Sequence, residues 1–296
     1  MMAGTALLLL NPGARKAGGG RVEIADALRE RGLAVIAESL GDPAGLDHRI
    51  ARHVRTVDRV IVGGGDGTLG AAARPVLDAG LCLGILPLGT ANNVARTLGI
   101  PEDLDVACDI AAGETRRRID VGVVNDRCFL TTASFGLSVA ITESLSRKAK
   151  RRWGTLAYVL TAARVVRNAH PVRAHIRWVG GELHTRTVQV VVGNGRYYGS
   201  ALQVAEDAEI DDHALDLYSI EVRHWWQLLT LGPALKRGSH GRRRAVQTAR
   251  ARAFEISTAV PVVIDADGEL ATHTPATFRV LPGALEVLAP PEPPRD

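Results

Sequence analysis

The sequence has few aromatic residues, few cysteines and no apolar run long enough to span a membrane. Aromatic residues make up 4% of its 296 positions, and the three cysteines, Cys82, Cys108 and Cys128, form no CxxC pair. This cysteine usage is typical of a reducing compartment and predicts no cysteine-bound structural metal. The longest apolar stretch begins at Trp153, contains Arg164 and is too short for a membrane helix. We therefore expect a cytoplasmic protein.

Two common nucleotide-binding signatures are missing or incomplete. The pattern GxxxxGK[ST] occurs nowhere in the chain, which excludes a P-loop NTPase. Gly65, Gly67 and Gly70 do spell GxGxxG, but a dinucleotide-binding fold also needs an acidic residue about 20 positions later to hold the ribose. No Asp or Glu lies in the range 79–101. The glycine pattern alone is therefore weak evidence for a dinucleotide.

The formal net charge of +4 and the isoelectric point of about 9.2 make the chain mildly basic, which favours acidic partners. Two tracts concentrate this charge, residues 146–152 (SRKAKRR) and residues 236–252, and both adjoin apolar or tryptophan-bearing segments. Such tracts suit an anionic bilayer surface, although a solvated face explains them as well. No nucleic-acid-binding module can be recognised in the sequence, so we expect no nucleic-acid partner.

Strand-like and helical segments alternate in the first third of the chain, with short glycine-rich turns between them. This alternation is typical of a parallel α/β layer. Residues 116–134 alternate with period two, as a half-buried strand does, and further strand-like runs follow a helical insert at about 138–168. This second part therefore predicts an antiparallel domain. In the first third, the predicted strands are 5–10, 33–38, 59–64 and 81–86, and the predicted helices are 21–31, 43–55, 69–79 and 91–98.

The junction after the third predicted strand reads VIVGGGDGTLG, residues 60–70. A glycine loop between a parallel strand and a helix can bind anions, because bare backbone N–H groups and the helix dipole favour negative charge. We interpret it as a phosphate-binding loop, and a tight turn is the simpler alternative. Asp66 would repel a phosphate unless a cation lies between them. It is therefore either a Mg²⁺ partner, directly or through water, or a cap of the following helix.

Two further loops fall on the same edge of the predicted sheet, because the carboxyl ends of parallel strands meet there. LPLGTANNVAR places Gly89 and Thr90 after the fourth strand, with Asn92 and Asn93 at the start of a helix. NPGARK follows the first strand and contains Lys16, which could reach a phosphate. An ordinary helix cap and a solvated lysine are the structural alternatives.

Two acidic segments lie in the second half of the chain. VVIDADGEL contains Asp265, Asp267 and Glu269. Asp267 begins a DG pair, which most simply forms a hairpin turn. A carboxylate there could also act as the base that phosphoryl transfer requires. Residues 206–212 hold five acidic side chains that could bind a divalent cation, although a solvated acidic turn is the simpler interpretation.

Taken together and in this order, the motifs resemble those of the bacterial diacylglycerol kinase-like lipid kinases, which share a catalytic domain with sphingosine and ceramide kinases. The resemblance covers about residues 7–287 and rests on NPGARK, VGGGDGTLGAAA, GILPLGTANNVARTLGIP, IDVGVVNDRCFLTTASFG, VVVGNGRYYGSALQVAEDAEIDDHALDL and DADGEL. It implies an α/β domain like that of NAD kinases and phosphofructokinases, residues 1–118 with a returning segment 276–290. A C-terminal antiparallel β-sandwich domain would span residues 119–275, and the proline-rich residues 291–296 would form a flexible tail.

The resemblance also implies a catalytic site. ATP would lie in the cleft between the domains, with its phosphates on the glycine loop and Thr90 nearby. Asp267 would be the general base, Glu269 would help to hold the nucleotide, and Lys16 would occupy the place of the lysine in the family's N-terminal loop. The residues implied to contact ATP are Lys16, Gly64, Gly65, Asp66, Gly67, Thr68, Leu69, Gly70, Thr90 and Glu269.

The implied metal is Mg²⁺, partnered by Asp66, and the family also has a structural Mg²⁺ in its C-terminal domain. The ligands of that second ion map onto Glu209, Asp212 and the backbone carbonyl of Ala214. The sequence departs from the family pattern near both metals and in the loops around them. The departing residues are Arg15, Ala37, Gly70, Ala71, Asn93, Glu206 and His213.

The sequence therefore predicts an ATP- and Mg²⁺-dependent lipid kinase that phosphorylates a lipid hydroxyl, with diacylglycerol as the expected acceptor and phosphatidic acid as the product. We expect it to act as a peripheral protein on the inner, anionic face of the membrane. By analogy with the family, homodimer formation is a further expectation. Two alternatives stay open, namely a soluble-substrate kinase of the NAD-kinase type and a non-catalytic regulator that binds nucleotide or lipid.

Overall fold

The computed structural model describes residues 4–11, 21–40, 45–144, 171–195, 197–198, 202–203, 209–221 and 246–291. Several predictions fall outside these residues, and they concern Arg15, Lys16, Glu206, the basic residues 146–152 and 236–245, most of the helical insert and residues 292–296 of the tail. Within the described ranges, no helix combines the length and apolar character needed to cross a bilayer.

The N-terminal part of the chain forms a parallel sheet flanked by helices, as the alternation of segments predicts. Its elements are β1 (Thr5–Leu10), α1 (Arg21–Glu30), β2 (Ala34–Ser39), α2 (Leu46–His53), β3 (Arg59–Gly64), α3 (Asp66–Ala79), β4 (Cys82–Pro87), α4 (Asn93–Thr97) and α5 (Leu104–Ala112). The strands lie in the order β2-β1-β3-β4, and each neighbouring pair is parallel. β3 and β4 are buried along their whole length, which explains their continuous apolar sequence.

Two helices of this layer differ from the prediction. α3 begins at Asp66 rather than at Leu69, so part of the predicted glycine loop is the first turn of a helix. Because glycine has a low helix propensity, the sequence pattern does not indicate that the helix begins at Asp66. The sequence prediction also lacks α5, whose N-terminus is capped by Asp103, because its carboxylate accepts a hydrogen bond from the Val106 N–H at 3.0 Å.

The C-terminal part consists mostly of antiparallel strands, also as predicted. Its elements are β5 (Arg116–Val124), β6 (Arg127–Phe129), β7 (Thr132–Gly136), α6 (Leu137–Ser144), β8 (Val172–Trp178), β9 (Gly181–Thr187), β10 (Gln189–Gly193), β11 (Tyr197–Tyr198), β12 (Leu202–Gln203), β13 (Leu215–Ile220), β14 (Val246–Ala251), β15 (Ala253–Thr258), β16 (Val263–Ala266), β17 (Glu269–His273) and β18 (Ala276–Leu288). One sheet has the order β14-β13-β10-β7-β16-β17. The other continues the parallel layer through β18, β15, β8 and β9.

Residues 116–134 form three strands, and the prediction of one half-buried strand is wrong. β5 and β6 pair as a hairpin, whose turn contains Asn125 at a positive φ of 53°. Asparagine tolerates this left-handed conformation, so the chain can reverse there. β7 then lies in the other sheet, next to β10 and β16.

The two sheets pack face to face around a core that contains all four phenylalanines of the chain. Phe129 and Phe135 come from β6 and β7, Phe254 and Phe278 come from β15 and β18, and each is at most 1% exposed. Aromatic side chains bury a large area per residue. A chain with few aromatic residues thus concentrates its phenylalanines where two sheets must be held together.

β18 joins the two parts of the molecule because it pairs with strands of both. Its first half lies antiparallel to β15, while Val287 near its end pairs in parallel with Leu83 of β4. β5 follows it along both halves, and this pairing is interrupted between Leu281 and Leu285. Gly283, inside the interruption, has a positive φ of 52°.

The turns after β3 and β4 lie against each other at the carboxyl edge of the parallel sheet. A Cβ atom added at Gly89 would lie 2.4 Å from the Cα of Gly65 and 2.7 Å from the side-chain oxygen of Asn92. The Gly89 N–H donates to that oxygen at 2.9 Å, which fixes the second turn. The turns can approach this closely only because Gly65 and Gly89 have no side chain.

We expect Gly89→Ala to lower the free energy of unfolding by about 1–3 kcal/mol, the usual cost of overpacking, because the new methyl group meets backbone. The matched control is Gly195→Ala, at a buried glycine where a new Cβ would lie 3.7 Å from its nearest neighbours. Urea denaturation of both variants measures the difference. Equal unfolding midpoints for the two variants would show that the turns are not in contact.

Candidate active site

The N-terminus of α3 lacks a side-chain cap. Gly65 is the N-cap residue, its backbone is extended, and no side chain of the described residues caps the helix there. The first amide that bonds within the helix is the Leu69 N–H, which donates to the Gly65 carbonyl at 3.0 Å. The N–H groups of Asp66, Gly67 and Thr68 therefore have no acceptor within the helix. Together with the helix dipole, they suit an anion such as phosphate.

The Asp66 carboxylate connects α3 to α4 and does not cap its own helix. Its Oδ1 accepts a hydrogen bond from the Val94 N–H at 3.0 Å, and its Oδ2 accepts one from the Asn93 amide at 3.2 Å. An aspartate at position 93 would bring two carboxylates together, whereas the amide of this chain holds Asp66 without a cation. Each Asp66 oxygen can still accept another interaction, and carboxylate oxygens suit Mg²⁺. Asp66 therefore fits its predicted role as a direct or water-mediated Mg²⁺ partner.

Other polar residues fix the conformation of the loops at the carboxyl edge of the parallel sheet. Thr68 accepts a hydrogen bond through Oγ1 from the Asn11 amide at 3.1 Å, which ties α3 to the end of β1. Asn92 has a positive φ of 50°, and its side chain accepts the hydrogen bond of the Gly89 N–H. This turn leaves Thr90 exposed at the edge, where a ligand on the α3 N-terminus could meet it.

Asp267 lies in the turn between β16 and β17, at a positive φ of 50°, and the two strands pair as the predicted hairpin. Its carboxylate accepts hydrogen bonds from the backbone N–H groups of Leu130 at 2.8 Å, Thr131 at 2.9 Å and Thr132 at 3.2 Å. The Thr131 hydroxyl donates a further hydrogen bond to the same carboxylate. These donors fix the orientation of the predicted base.

Burial raises the pKa of Asp267 to about 6, and the hydrogen bonds from Thr131, Leu130 and Thr132 only partly oppose this rise. The physical cause is desolvation, which disfavours the charged form of a carboxyl group. A base is most effective when its pKa lies near the working pH, because it is then both ionised and able to hold a proton. The environment of Asp267 therefore suits general-base catalysis.

The β16–β17 turn packs directly on the first turns of α3. A Cβ atom at Gly70 would lie 2.4 Å from Oδ2 of Asp267, and one at Gly67 would lie 3.3 Å from Oε1 of Glu269. Gly67 and Gly70 are three residues apart and share one face of the helix. Gly70, which stands where the family pattern has asparagine, thus makes room for the predicted base. The side-chain positions of both glycines face protein, while their helix end still offers N–H groups to a ligand.

A cavity of about 360 Å³ opens between α3 and the β16–β17 turn. Gly67, Gly70 and Ala71 line it from the helix, and Asp267 and Glu269 line it from the turn. Ala71 stands where the family pattern has glutamate, so the cavity has one negative charge fewer beside the base. The structure thus brings the predicted base together with several of the predicted ATP contacts.

A buried polar chain lies behind the base. Asp265, on β16, is 7% exposed and accepts a hydrogen bond from the Ser134 hydroxyl at 2.5 Å. The Ser134 hydroxyl is 2.8 Å from that of Ser138, which in turn bonds the Gln189 side chain at 2.8 Å. Burial raises the pKa of Asp265 to about 6, against the hydrogen bond from Ser134. This chain holds β16, and so the turn after it, against β7, α6 and β10.

Of the residues predicted to hold a structural Mg²⁺, the Asp212 carboxylate does not fit a metal. The Asp212 carboxylate accepts hydrogen bonds from the Glu209 N–H at 2.9 Å and the Ala214 N–H at 3.1 Å. The Arg250 guanidinium lies 2.8 Å from Oδ2 of Asp212. A guanidinium on the ligand oxygen repels a divalent cation at the same carboxylate. Arg250 and two backbone donors thus satisfy the group that the prediction assigns to Mg²⁺.

His213, which replaces a glycine of the family pattern, satisfies a neighbouring carboxylate. It has a positive φ of 61°, and both its backbone N–H and its ring Nδ1 bond Asp120, the ring at 3.0 Å. Asp120 is 1% exposed and also accepts a hydrogen bond from the Gly283 N–H at 2.7 Å. Hydrogen bonds to Asp120 thus hold the turn that contains Asp212 to β5 and β18.

We expect Mg²⁺ to leave the unfolding temperature of the metal-stripped, nucleotide-free protein unchanged, because Arg250 already neutralises Asp212. Arg250→Ala should lower the free energy of unfolding by about 1 kcal/mol, the scale of a partly exposed ion pair. It should also make the stability respond to added Mg²⁺. Arg252→Ala, at an exposed arginine just beyond β14, is the matched control and should do neither.

Differential scanning calorimetry of the wild type and both variants, with EDTA and with Mg²⁺, measures these effects. A marked gain of wild-type stability with Mg²⁺ would show that a metal binds at Asp212 after all. Identical behaviour of Arg250→Ala and Arg252→Ala would show that the ion pair to Asp212 has no effect on stability.

No sequence motif indicates a role for Leu130, Thr131 or Asn11. In the structure, Leu130 and Thr131 donate to Asp267, and Asn11 donates to Thr68. The only local signal is the pair of threonines in FLTTASFG, directly after a buried segment. Thr131 lies 136 positions from Asp267, so no pattern within either segment connects them. The predicted phosphate contact Lys16 lies outside the described residues.

Two domain families match the chain, and the boundary between them falls at the β5–β6 hairpin. Residues 5–124 match the diacylglycerol kinase catalytic domain. Residues 131–289 match the YegS C-terminal NAD kinase beta sandwich-like domain. The cavity described above lies where these two regions meet, since α3 belongs to the first match and Asp267 to the second.

Related proteins and a solved structure agree with these matches. A probable lipid kinase YegS-like of Chromohalobacter salexigens is 33% identical over 255 residues, covering 82% of this chain and 80% of the relative. A diacylglycerol kinase of Mycobacterium tuberculosis is 29% identical over 273 residues, covering 89% and 87%. The fold is similar to the crystal structure of a diacylglycerol kinase from Bacillus anthracis, with a TM-score of 0.79, 24% identity and coverage of 97% of this chain and 98% of that one. The chain therefore belongs to the family of YegS-like and diacylglycerol kinase-like lipid kinases.

Proposed function

We propose that the chain is an ATP- and Mg²⁺-dependent kinase that transfers the γ-phosphate of ATP to the hydroxyl of diacylglycerol and forms phosphatidic acid. The observation that supports this most strongly is the contact between Asp267 and Gly70. It places a fixed carboxylate, with a pKa of about 6, against the helix whose N-terminus suits phosphate. The choice of acceptor follows the relative that is named diacylglycerol kinase.

In this proposal the ATP phosphates lie on the N–H groups of Asp66, Gly67 and Thr68, where the helix dipole favours their charge. Lys16 and Thr90 complete the phosphate contacts. Asp66 holds Mg²⁺ directly or through water, and the ion neutralises charge on the phosphate oxygens when it is bound. The hydrogen bond from Asn93 keeps the Asp66 carboxylate in position for this role.

Asp267 accepts the proton of the lipid hydroxyl as that oxygen forms its bond to the γ-phosphorus. The bond from the γ-phosphorus to the bridging oxygen breaks, and ADP leaves with the electron pair. The donors at Leu130, Thr131 and Thr132 hold the carboxylate in one orientation during this step. Most of the acceleration in such a reaction comes from positioning and charge neutralisation.

A lipid acceptor requires contact with a bilayer. We assign this contact to the two basic tracts, residues 146–152 and 236–252, which would hold a cytoplasmic, peripheral protein on an anionic leaflet. The acyl chains could then remain largely in the bilayer while the hydroxyl reaches Asp267.

We expect Asp267→Asn to lower kcat at least about 100-fold while ATP still binds, because the amide keeps the shape of the side chain but cannot accept the proton. The assay follows labelled phosphate from Mg·ATP into diacylglycerol in mixed micelles, and the product is extracted into organic solvent. Asp103→Asn is the matched control, since asparagine caps α5 as well as aspartate does. This control should leave kcat unchanged.

The same assay separates the proposal from its alternatives. Turnover by Asp267→Asn at the wild-type rate would show that another group is the base. Labelled product that stays in the aqueous phase would favour a soluble-substrate kinase. Binding of ATP without transfer to any lipid of a total lipid extract would favour a non-catalytic regulator.

The raised pKa of Asp267 predicts the pH dependence of the reaction. Only the ionised carboxylate accepts a proton, and its pKa is about 6. The value of kcat/KM for diacylglycerol should therefore rise about tenfold per pH unit below the pKa and level off above it. A profile at saturating Mg·ATP tests this, since diacylglycerol has no titrating group in the range. A flat profile through the pKa would contradict the assignment of the base.

A further inference from the structure

Two histidines and one glutamate cluster on the sheet formed by β8 and β9, outside the cavity of the candidate active site. His175 of β8 lies directly opposite His184 of β9 in the antiparallel pairing. Glu182 precedes His184 by two residues, so it lies on the same face of the strand. β9 is the last strand in the order of its sheet. The cluster therefore lies at a sheet edge.

One carboxylate oxygen lies close to both imidazole rings. Oε2 of Glu182 is 2.9 Å from Nε2 of His175 and 4.0 Å from Nε2 of His184. The two rings are stacked, with centroids 4.0 Å apart and planes within 10° of parallel. Each residue offers one ligand atom, and these three atoms lie within 4.8 Å of one another.

These separations are close to those of a metal centre. In a tetrahedral zinc site with bonds of about 2.0–2.1 Å, neighbouring ligand atoms are about 3.3 Å apart. The two distances from Glu182 bracket this value. The side chains of His175, Glu182 and His184 are 31%, 60% and 70% exposed, so small rotations can bring the ligands to one ion. Two imidazoles and one carboxylate leave a fourth position for water.

The donor atoms of the cluster suit a transition metal better than a hard cation. Glu182 is the one carboxylate of the set, and a hydrogen bond from His175 holds its pKa below the ordinary value. Arg177 pairs with Glu255 at 2.5 Å, and Arg173 and Arg186 line an adjoining groove of about 470 Å³. Mg²⁺ and Ca²⁺ need several oxygen ligands, whereas Zn²⁺ and its transition-metal neighbours bind imidazole well.

We propose that His175, Glu182 and His184 bind one transition-metal dication of the Zn²⁺ class, which fastens the β8–β9 hairpin at the edge of the sheet. The ion takes the place of the contact between His175 and Glu182, and water completes the coordination. Since the histidines are cross-strand partners, one ion links both strands through their side chains. None of the three residues lines the cavity of Asp267, so the site is separate from the proposed phosphoryl transfer.

The test uses the full chain, stripped of metal with EDTA and free of nucleotide. Zn²⁺ is titrated in competition with a chromophoric chelator. We expect His184→Ala to bind one Zn²⁺ fewer per chain, and Glu182→Gln to bind that ion at least tenfold more weakly. His273→Ala, which removes an exposed histidine from β17, is the matched control and should bind as the wild type does.

A second measurement separates this site from unrelated zinc binding. Zn²⁺ should raise the unfolding temperature of the wild type and slow hydrogen exchange in residues 172–187, and Mg²⁺ should do neither. Wild-type Zn²⁺ binding in both His184→Ala and Glu182→Gln would overturn the proposal, as would an unfolding temperature that Zn²⁺ does not change. Glu182 is exposed, so Glu182→Gln stays decisive even if the histidine variant fails to fold.

Discussion

The close packing of α3 against the β16–β17 turn is the constraint on which the rest of the site depends. Asp267 lies against a helix position that has no side chain, Gly70, and its oxygens are held by the backbone of residues 130–132. The same helix presents its uncapped N-terminus at the sheet edge. One contact therefore sets the distance between the proposed phosphate site and the proposed base, and it joins a helix of one domain to a turn of the other.

Local patterns predict the elements of this site, but not the contacts between them. The apolar runs predict β3 and β4, and the DG pair predicts the hairpin that carries Asp267, because these signals act over a few residues. The bond between Asp267 and Thr131 joins positions 136 residues apart, and the ion pair of Arg250 with Asp212 forms beside the pairing of β13 with β14. The period-two alternation of residues 116–134 also continues through the turn at Asn125. The sequence pattern of three strands therefore resembles that of one long strand.

Two of the departures from the family pattern supply donors to carboxylates. Asn93 offers an amide to Asp66, and His213 offers two donors to Asp120. In each case a protein donor satisfies a carboxylate whose charge would otherwise need a cation or a proton. Gly70 and Ala71 have a different effect, since they clear space around the base. Asn93 and His213 thus hold these carboxylates with protein donors, while Gly70 and Ala71 leave room beside Asp267.

The pairing of β18 with β4 affects how the protein can be expressed and folded. The match to the catalytic domain ends at residue 124, yet the open side of β4 is covered by Val287, near the far end of the chain. A fragment of residues 5–124 would leave β4 and β5 with bare edges, which favour pairing between copies. During synthesis on the ribosome, this edge of β4 lacks its partner until β18 (residues 276–288) has emerged. The pairing of β18 with β4 thus completes the sheet of the first domain.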